Sequence, residues 1–582
     1  MLIDSKGDKK PQAGRWITAA VVGLLALVVM CVVTLASVPP VSRDALIHHL
    51  ALPKLYLKHG GIYEIPSLKF SYYPMNLDLL YMIPLYFGND IIPKFIHFGF
   101  ALLTGGFIFS YLKKRTALSY AFLGVLLFLS IPVIVKLSTT VYVDLGLIFF
   151  SFAALIYLFK WIETGFKCKS LFASAICCGL ALGTKYNALI SFFLLTLFIV
   201  FIYSRMSAPG HGRQIKALAY GVAFMLITAA VFSPWAIRNF IWTNNPLYPL
   251  YNSWFNPHTT KIQDVAEQQV EQNSNEDSYA EMQPPKGRWN HFAIRKIVFN
   301  EKWWEIALIP VRIFFQGVDD NPKYFDGKLN LLLFFLPFFA FIGIRGNSRQ
   351  LQVEKKTMLA FAVLFILLVF VQGDMRIRYI GPAIPPLVVL SIFGFQRIIA
   401  TIQDRFNGFP RKLYLGSVLV PVLFLLGLNF HYILNLYSWV QPVRYLKGEL
   451  NRDAYIEKYR PEYAAIQYAN KHLPSDAIIL SVFLGNRLYY SDRAMRFDYN
   501  AFFKNSFKQD SLDEAILANF EKNGITHLLI RFHAFNNWVR NNFDDREKQR
   551  LVRFFHNYTV LLFSKNGHGL YLLKSTVAQR AP

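Results

Sequence analysis

Apolar residues along this chain fall in long blocks separated by short segments rich in Lys and Arg, rather than alternating with polar ones. A bilayer-crossing helix needs about 20 apolar residues, and roughly eleven blocks reach or approach that length. The first runs from Trp16 to Val38. It is longer than the apolar part of a cleaved signal and lacks a small-x-small cleavage site, so it reads as a retained span. Further blocks begin near Ile91, at Ala117 and at Tyr142, and two shorter ones meet at Gly183-Thr184-Lys185-Tyr186. A seventh ends at Ser233-Pro234-Trp235. The eighth covers Leu331 to Gly343, the ninth ends at Gly373, the tenth returns to Arg397, and the last exits near His431.

Basic clusters recur at every second boundary: Lys6 to Arg15, Lys113 to Arg115, Lys160 to Lys169, Arg205 to Lys216, Arg345 to Lys356, and Arg397 to Lys412. Cytoplasmic retention of basic loops leaves this pattern, so the N-terminus is expected inside and the C-terminus outside. It also accounts for the formal net charge of +25, with no separate basic stripe that would point to nucleic acid. The hydrophobic fraction of 54% exceeds that of an ordinary soluble domain and requires lipid as solvent. The four cysteines lie in or beside apolar blocks, with neither metal-ligand spacing nor a disulfide framework.

Two amphipathic external loops are expected, at residues 39–90 and 236–327, the second containing a polar run from Gln268 to Gln283 and the Trp303-Trp304 pair. The membrane part is expected to cover residues 1–440. From 441 to 582 charged segments alternate with short apolar strands. Helices are expected at Pro461–His472, from the capping-box pair Ser511 and Glu514 to Asn523, and at Asp544–Asn557; strands are expected at Ala477–Phe483, Thr526–Phe532, Tyr558–Ser564 and Leu570–Lys574. The fold class is thus a polytopic α-helical membrane protein of about eleven transmembrane helices with a C-terminal soluble α/β domain.

The orientation brings Asp44, Asp144, Lys185, Arg238, Asp374, Arg376 and Arg378 to or near one membrane face. After Pro39-Pro40 the chain has apolar residues at helical spacing through Tyr56, which predicts an amphipathic helix lying in the interface, with Asp44 and His48 on one face. A carboxylate beside an imidazole suits a general base or a metal site; a helix-capping Asp is the plainer alternative. Asp144, at the end of an apolar span, needs a wet cavity, a partner or a helix dipole. Lys185 interrupts an apolar stretch where an anionic head group, or simple snorkelling, would suit it. Arg238, Arg376 and Arg378 stand where the orientation rule disfavours cations, so either phosphate binding or pairing with Asp374 or Asp144 is expected. There is no Walker loop, dinucleotide fingerprint, His-Glu-x-x-His or Gly-x-Ser-x-Gly.

Six stations in order resemble the GT-C superfamily of membrane glycosyltransferases. They are Arg43-Asp44-Ala45 through His48-His49-Leu50-Ala51-Leu52-Pro53-Lys54; Tyr73-Pro74; Tyr142-Val143-Asp144-Leu145; Gly183-Thr184-Lys185-Tyr186; Pro234-Trp235-Ala236-Ile237-Arg238-Asn239 with Asn245-Pro246-Leu247-Tyr248-Pro249; and Arg378-Tyr379-Ile380-Gly381-Pro382. That superfamily includes oligosaccharyltransferases, protein O-mannosyltransferases and the bacterial enzymes that add aminoarabinose to lipid A. The sequence is most similar to its bacterial branch related to rhizobial lipopolysaccharide core transferases.

The resemblance implies transfer of a sugar from a polyprenyl-phosphate donor to an envelope glycan, lipid or protein acceptor, on the external face of a bacterial cytoplasmic membrane, with inversion. It implies Asp44 as base and Asp144 as a second acid that binds acceptor or cation. Lys185, Arg238, Arg376 and Arg378 are expected around the donor phosphate, and Arg43, His48, His49 and Tyr186 around the substrate. A divalent cation on Asp44 and Asp144 is left open, because Ala45 follows Asp44 where many relatives pair two acidic residues. The alternative is a transporter or flippase of lipid-linked sugars, against which no internal repeat is visible.

Overall fold

The computed structural model describes residues 12–257, 291–343, 346–508 and 513–574. Helices occupy all eleven apolar blocks. In chain order, α1 (Gln12–Ala36) is followed by the short α2 (Ala51–His59) and α3 (Asn76–Tyr86). Then come α4 (Ile92–Lys113), α5 (Leu118–Ser130), α6 (Pro132–Ser138), α7 (Asp144–Glu163), α8 (Cys168–Leu182), α9 (Ala188–Met206) and α10 (Arg213–Thr243). The later membrane helices are α11 (Leu332–Phe339), α12 (Arg349–Gln372), α13 (Ile384–Arg405) and α14 (Gly408–Val440).

Among the described residues seven helices are long and apolar enough to cross a membrane, or eight if the bent pair α5 and α6 is one span. Helices fill every expected block, and two of the eleven are too short to cross a bilayer on their own. The α8 block gives only 15 residues and the α11 block only 8. The α5–α6 pair bends by 67° where Pro132 interrupts the hydrogen-bond ladder. α10 does not end at Ser233-Pro234-Trp235 but continues to Thr243 with Pro234 inside it, which brings Arg238 and Asn239 onto helical turns.

α7 and the segment 377–405 form the centre of the bundle, with 72% of each apolar window buried, whereas α14 at 17% and α1 at 22% are peripheral. α7 packs on α4 and α8, α10 on α8 and α9, and α13 on α5, α11 and α12. Gly394 permits the closest of these approaches: a Cβ there would lie 1.9 Å from the Leu336 carbonyl oxygen.

The segment after α1 differs from expectation. Residues Ala45–His49 form one π-helical turn and α2 follows, but Ala45, Leu46, Leu50, Ala51, Leu52 and Tyr56 are all buried. The segment does not lie free in the interface because the C-terminal domain covers its other side. The π turn, closed by the Leu50 amide on the Ala45 carbonyl at 2.9 Å, widens the helix locally, and the expected neighbours Asp44 and His48 stay within electrostatic reach of each other.

Beyond α14 lie α15 (Arg452–Tyr459), α16 (Tyr463–His472), α17 (Tyr499–Lys508), α18 (Asp513–Lys522), α19 (Phe532–Asn542) and α20 (Asp545–Tyr558) around a five-stranded sheet of order β2-β1-β3-β5-β4. The strands are β1 (Ile478–Val482), β2 (Ala494–Arg496), β3 (His527–Arg531), β4 (Thr559–Lys565) and β5 (His568–Leu573). β1 is parallel to β2 and β3, while β5 runs antiparallel to β3 and β4. Alternation divides the core: Leu480, Val482, Leu528 and Ile530 face α17, α18 and α20, while Ile479, Leu529 and Leu570 face α16. Asp544 and Glu547 close a capping box at the start of α20, with bonds of 2.8 and 2.9 Å. The expected pair Ser511 and Glu514 and the run Gln268–Gln283 lie outside the described residues, in whole or through Ser511.

Candidate active site

Asp44 precedes the π turn, yet its side chain makes no cap. Instead Oδ2 accepts from Arg378 Nη1 at 2.6 Å. The chain is led there by Pro39-Pro40, held by Lys94 Nζ donating to the Val38 carbonyl at 2.7 Å. Arg378 comes from the 3₁₀ turn Ile377–Ala383 between α12 and α13, anchored by the Ile377 amide on the Phe325 carbonyl at 2.8 Å. Its guanidinium lies over the rings of Tyr142 and Tyr379, at 5.1 and 5.3 Å.

A second pair stands beside the first. Asp144, 1% exposed, opens α7, and its Oδ1 accepts from Lys185 Nζ at 2.7 Å. Lys185 also lies 5.1 Å from the centre of the Tyr379 ring, so that one tyrosine touches the cations of both pairs. His97 fixes the start of α7: its Nε2 accepts the Leu145 amide at 2.9 Å. Nδ1 must then carry the proton, which it shares with the carbonyls of Leu137 and Thr140, both at 3.0 Å. Lys185 is placed by the turn at Gly183, where a Cβ would lie 2.2 Å from Asn76 Nδ2 and whose carbonyl accepts the Asn76 amide at 2.9 Å.

Arg238 is different. Among the described residues no carboxylate pairs with it. It donates to the Tyr73 carbonyl at 3.1 Å and to Asn239 Oδ1 at 2.8 Å, and packs between Trp235 and Trp242 at 4.6 and 4.8 Å. Its Nη1 is buried without a hydrogen-bond partner, as are Arg378 Nε, Asp144 Oδ2, the Tyr56 hydroxyl and His48 Nδ1. Asn239 fastens the wall of this region, donating to the Tyr72 carbonyl at 2.8 Å and to the Tyr186 hydroxyl at 3.0 Å, which itself donates to the Tyr248 carbonyl at 3.1 Å. Buried polar groups are normally satisfied, so this concentration of unpartnered donors and acceptors marks a place built for a polar ligand.

Burial raises the Asp44 carboxyl, but the Arg378 guanidinium beside it outweighs that and holds it well below the ordinary carboxylate range. His48 is pushed well down by burial and by His49, against the pull of Asp44, and is therefore neutral at pH 7. Burial pushes the Tyr56 phenol up to about 12.

The other expected residues divide. His49 is taken by Asp78, 2.7 Å from its Nδ1. His48 stacks on Phe70 at 4.2 Å. Arg43 is half-buried, directly before Asp44. Arg376 pairs with Asp326 at 3.6 Å and with Asp374 at 3.5 Å, the pairing alternative, while lying within electrostatic reach of Tyr379 and Arg378. Asp326 in turn shares Lys136 with Asp319 and Asp320. His97, Tyr56, Asn239 and Tyr379 were not expected as site residues. Asn239 and Tyr379 stand inside the stations of the resemblance, and Tyr56 ends the amphipathic segment, while His97 is a polar residue within the apolar block of α4. For a resident cation the fit is poor: each carboxylate already holds a basic side chain, and no group of three or more His, Cys, Asp or Glu gathers among the described residues.

Residues 67–245 match the family described as dolichyl-phosphate-mannose-protein mannosyltransferase. No curated protein matches the sequence. Among solved structures, ArnT from Cupriavidus metallidurans in the apo state superposes with a TM-score of 0.55 at 12% identity, covering 95% of this chain and 98% of that one. The same protein bound to undecaprenyl phosphate gives 0.54 at 13% identity, over 96% and 99%. The Archaeoglobus fulgidus oligosaccharyltransferase tethered to an acceptor peptide gives 0.53 at 12% identity, over 95% of this chain and 74% of that one. At such identities these likenesses show the fold. The family match covers residues 67–245, and the likeness to these membrane glycosyltransferase structures over nearly the whole chain is one of fold, in agreement with the resemblance seen in the sequence.

Proposed function

We propose that this protein transfers a glycosyl group from a polyprenyl-phosphate-linked sugar to a hydroxyl of an envelope glycan, lipid or protein, on the external face of a bacterial cytoplasmic membrane. The observation that carries the reading is the Asp44–Arg378 pair, a base and a phosphate-seeking cation joined at 2.6 Å beside unpartnered donors. A structural neighbour binds undecaprenyl phosphate and another an acceptor peptide, which supports these two substrate classes.

In the resting pair Asp44 is a poor base, because Arg378 stabilises its charge. A donor phosphate drawing Arg378 toward itself removes that stabilisation and leaves the effect of burial, so the carboxyl rises as the donor arrives. Asp44 then takes the acceptor hydroxyl proton while the new C–O bond forms at the anomeric carbon. The bond from that carbon to the phosphate oxygen breaks, and its electron pair stays on the phosphate. Attack from the opposite side inverts the anomeric centre. Arg238 and Lys185 stabilise the charge growing on the departing phosphate. Asp144 keeps Lys185 oriented, and its second oxygen is available to an acceptor hydroxyl.

The test is incubation of purified protein with a panel of radiolabelled polyprenyl-phosphate sugars and membrane extract. Label moving to a glycan, glycolipid or protein, with release of polyprenyl phosphate, is expected. Donor binding without transfer across the panel would contradict the reading and point to transport.

A further inference from the structure

The segment carrying Asp44 is gripped from outside the membrane bundle. Tyr490 donates its hydroxyl to the Pro40 carbonyl at 2.8 Å, and Arg460 Nε donates to the Val41 carbonyl at 2.6 Å. The amides of Leu488 and Tyr489 both donate to the Leu46 carbonyl, at 3.2 and 3.1 Å. Further along, Lys54 Nζ reaches back to the carbonyls of Tyr489 and Ser491 and to Asp492 Oδ1, at 2.9, 3.0 and 2.9 Å. Asp44 lies between the Val41 and Leu46 attachments. Every attachment except that of Lys54 falls on a main-chain carbonyl, so the loop is held in shape whatever its side chains do.

The gripping loop is itself stiffened. Arg487 pairs with Glu462 at 2.7 Å, both side chains less than a tenth exposed. Asn470 of α16 donates to the Tyr490 carbonyl at 2.9 Å and accepts the Asp492 amide at 2.8 Å. A single π turn is a strained, marginal element that persists only where its surroundings determine it. The α/β domain supplies those surroundings, and Arg378 meets Asp44 from the opposite side.

Resting on the reading of Asp44 as the base, we infer that the C-terminal domain positions it. The loop 484–492, with Arg460, sets the π turn that aims the Asp44 carboxylate, making the domain part of the turnover machinery rather than solely an acceptor platform. Arg460 and Tyr490 act through the loop backbone and are positioning residues.

The test is the double variant Arg460→Ala with Tyr490→Phe in the full-length protein. A displacement on the order of 1 Å at a reacting group costs about 100-fold in rate. A fall in kcat of about 10- to 100-fold is therefore expected, with donor Kd and acceptor KM within about twofold of wild type and Arg460→Lys alone recovering most of the rate. Amide hydrogen exchange should quicken at residues 44–50 and stay unchanged in α7 and α13. Unchanged kcat, or a loss carried wholly by acceptor KM, overturns the inference. Unchanged exchange at 44–50 does so too, and that readout needs no turnover. If wild type transfers no sugar at all, the proposed function falls while exchange still decides whether the domain sets the loop.

Discussion

Two ion pairs at opposite ends of the same helices behave differently. Where α4 ends and α12 begins, Glu354 accepts from Arg115 Nε and Nη2 at 3.1 Å each, from the Tyr111 hydroxyl at 2.5 Å and from Gln350 at 2.8 Å. Arg115 further donates to the Tyr111 carbonyl at 3.2 Å. Glu354 is 0% exposed and its two oxygens are saturated. Beyond the other end of α12, Asp44 and Arg378 share a single contact, and Arg378 Nε is left without a partner. A saturated buried pair is finished and fixes two helices to each other. An unsaturated one retains capacity for a ligand, and the cost of leaving it so is tolerated where function needs it.

The comparison can be broken most sharply at Asp44. Asp44→Asn keeps an oxygen for Arg378 but removes the proposed base, so turnover should fall by about 10³-fold, with thermal stability nearly unchanged. Glu354→Gln should do the reverse. It leaves Arg115 in a dry site with a neutral partner and should cost about 3 kcal/mol of stability, read by thermal denaturation in detergent, with kcat per folded molecule retained. Arg238→Gln should weaken donor binding by about 10- to 100-fold, measured as the Kd for undecaprenyl phosphate, because one charge-assisted contact to phosphate is lost.

The smallest effect is a pH shift. With Arg378 replaced by Gln, burial acts on Asp44 with less opposition, so its carboxyl rises and the acid limb of the residual kcat/KM profile should move to higher pH. The sign for stability follows. A depressed Asp44 contributes stability above its unfolded value near 3.8, and the contribution disappears as pH falls through the folded value. Arg378→Gln should flatten that acid dependence.

Much of the framework was written in residue pattern. Block lengths and basic boundaries located the membrane helices, and alternation with turn residues located β1, β3, β4, β5, α16, α18 and α20. α15, α17 and α19 were missed because they are short, polar-rich and, for α19, continuous with the apolar end of β3. Individual site residues stood out because charge near an apolar block is costly: Asp144 and Lys185 are such cases. Their partners did not stand out. Asp44 and Arg378 are 334 positions apart, and only the tertiary fold brings the segment after α1 to the turn before α13. The π turn was invisible because it depends on the Leu488 and Tyr489 amides reaching a carbonyl, and main-chain contacts leave no side-chain pattern. Arg376 looked equivalent to Arg378 in sequence, yet a two-residue offset in the extended and 3₁₀ stretch sends it to Asp326 and Asp374 instead.

The most direct test of the contrast between the two pairs sets Asp44→Asn and Glu354→Gln side by side with wild type, measuring transfer of labelled sugar from a polyprenyl-phosphate donor and thermal stability in the same preparations. The account predicts that Asp44→Asn loses transfer and keeps stability, while Glu354→Gln loses stability and keeps transfer. An Asp44→Asn protein that transfers sugar at the wild-type rate would contradict it.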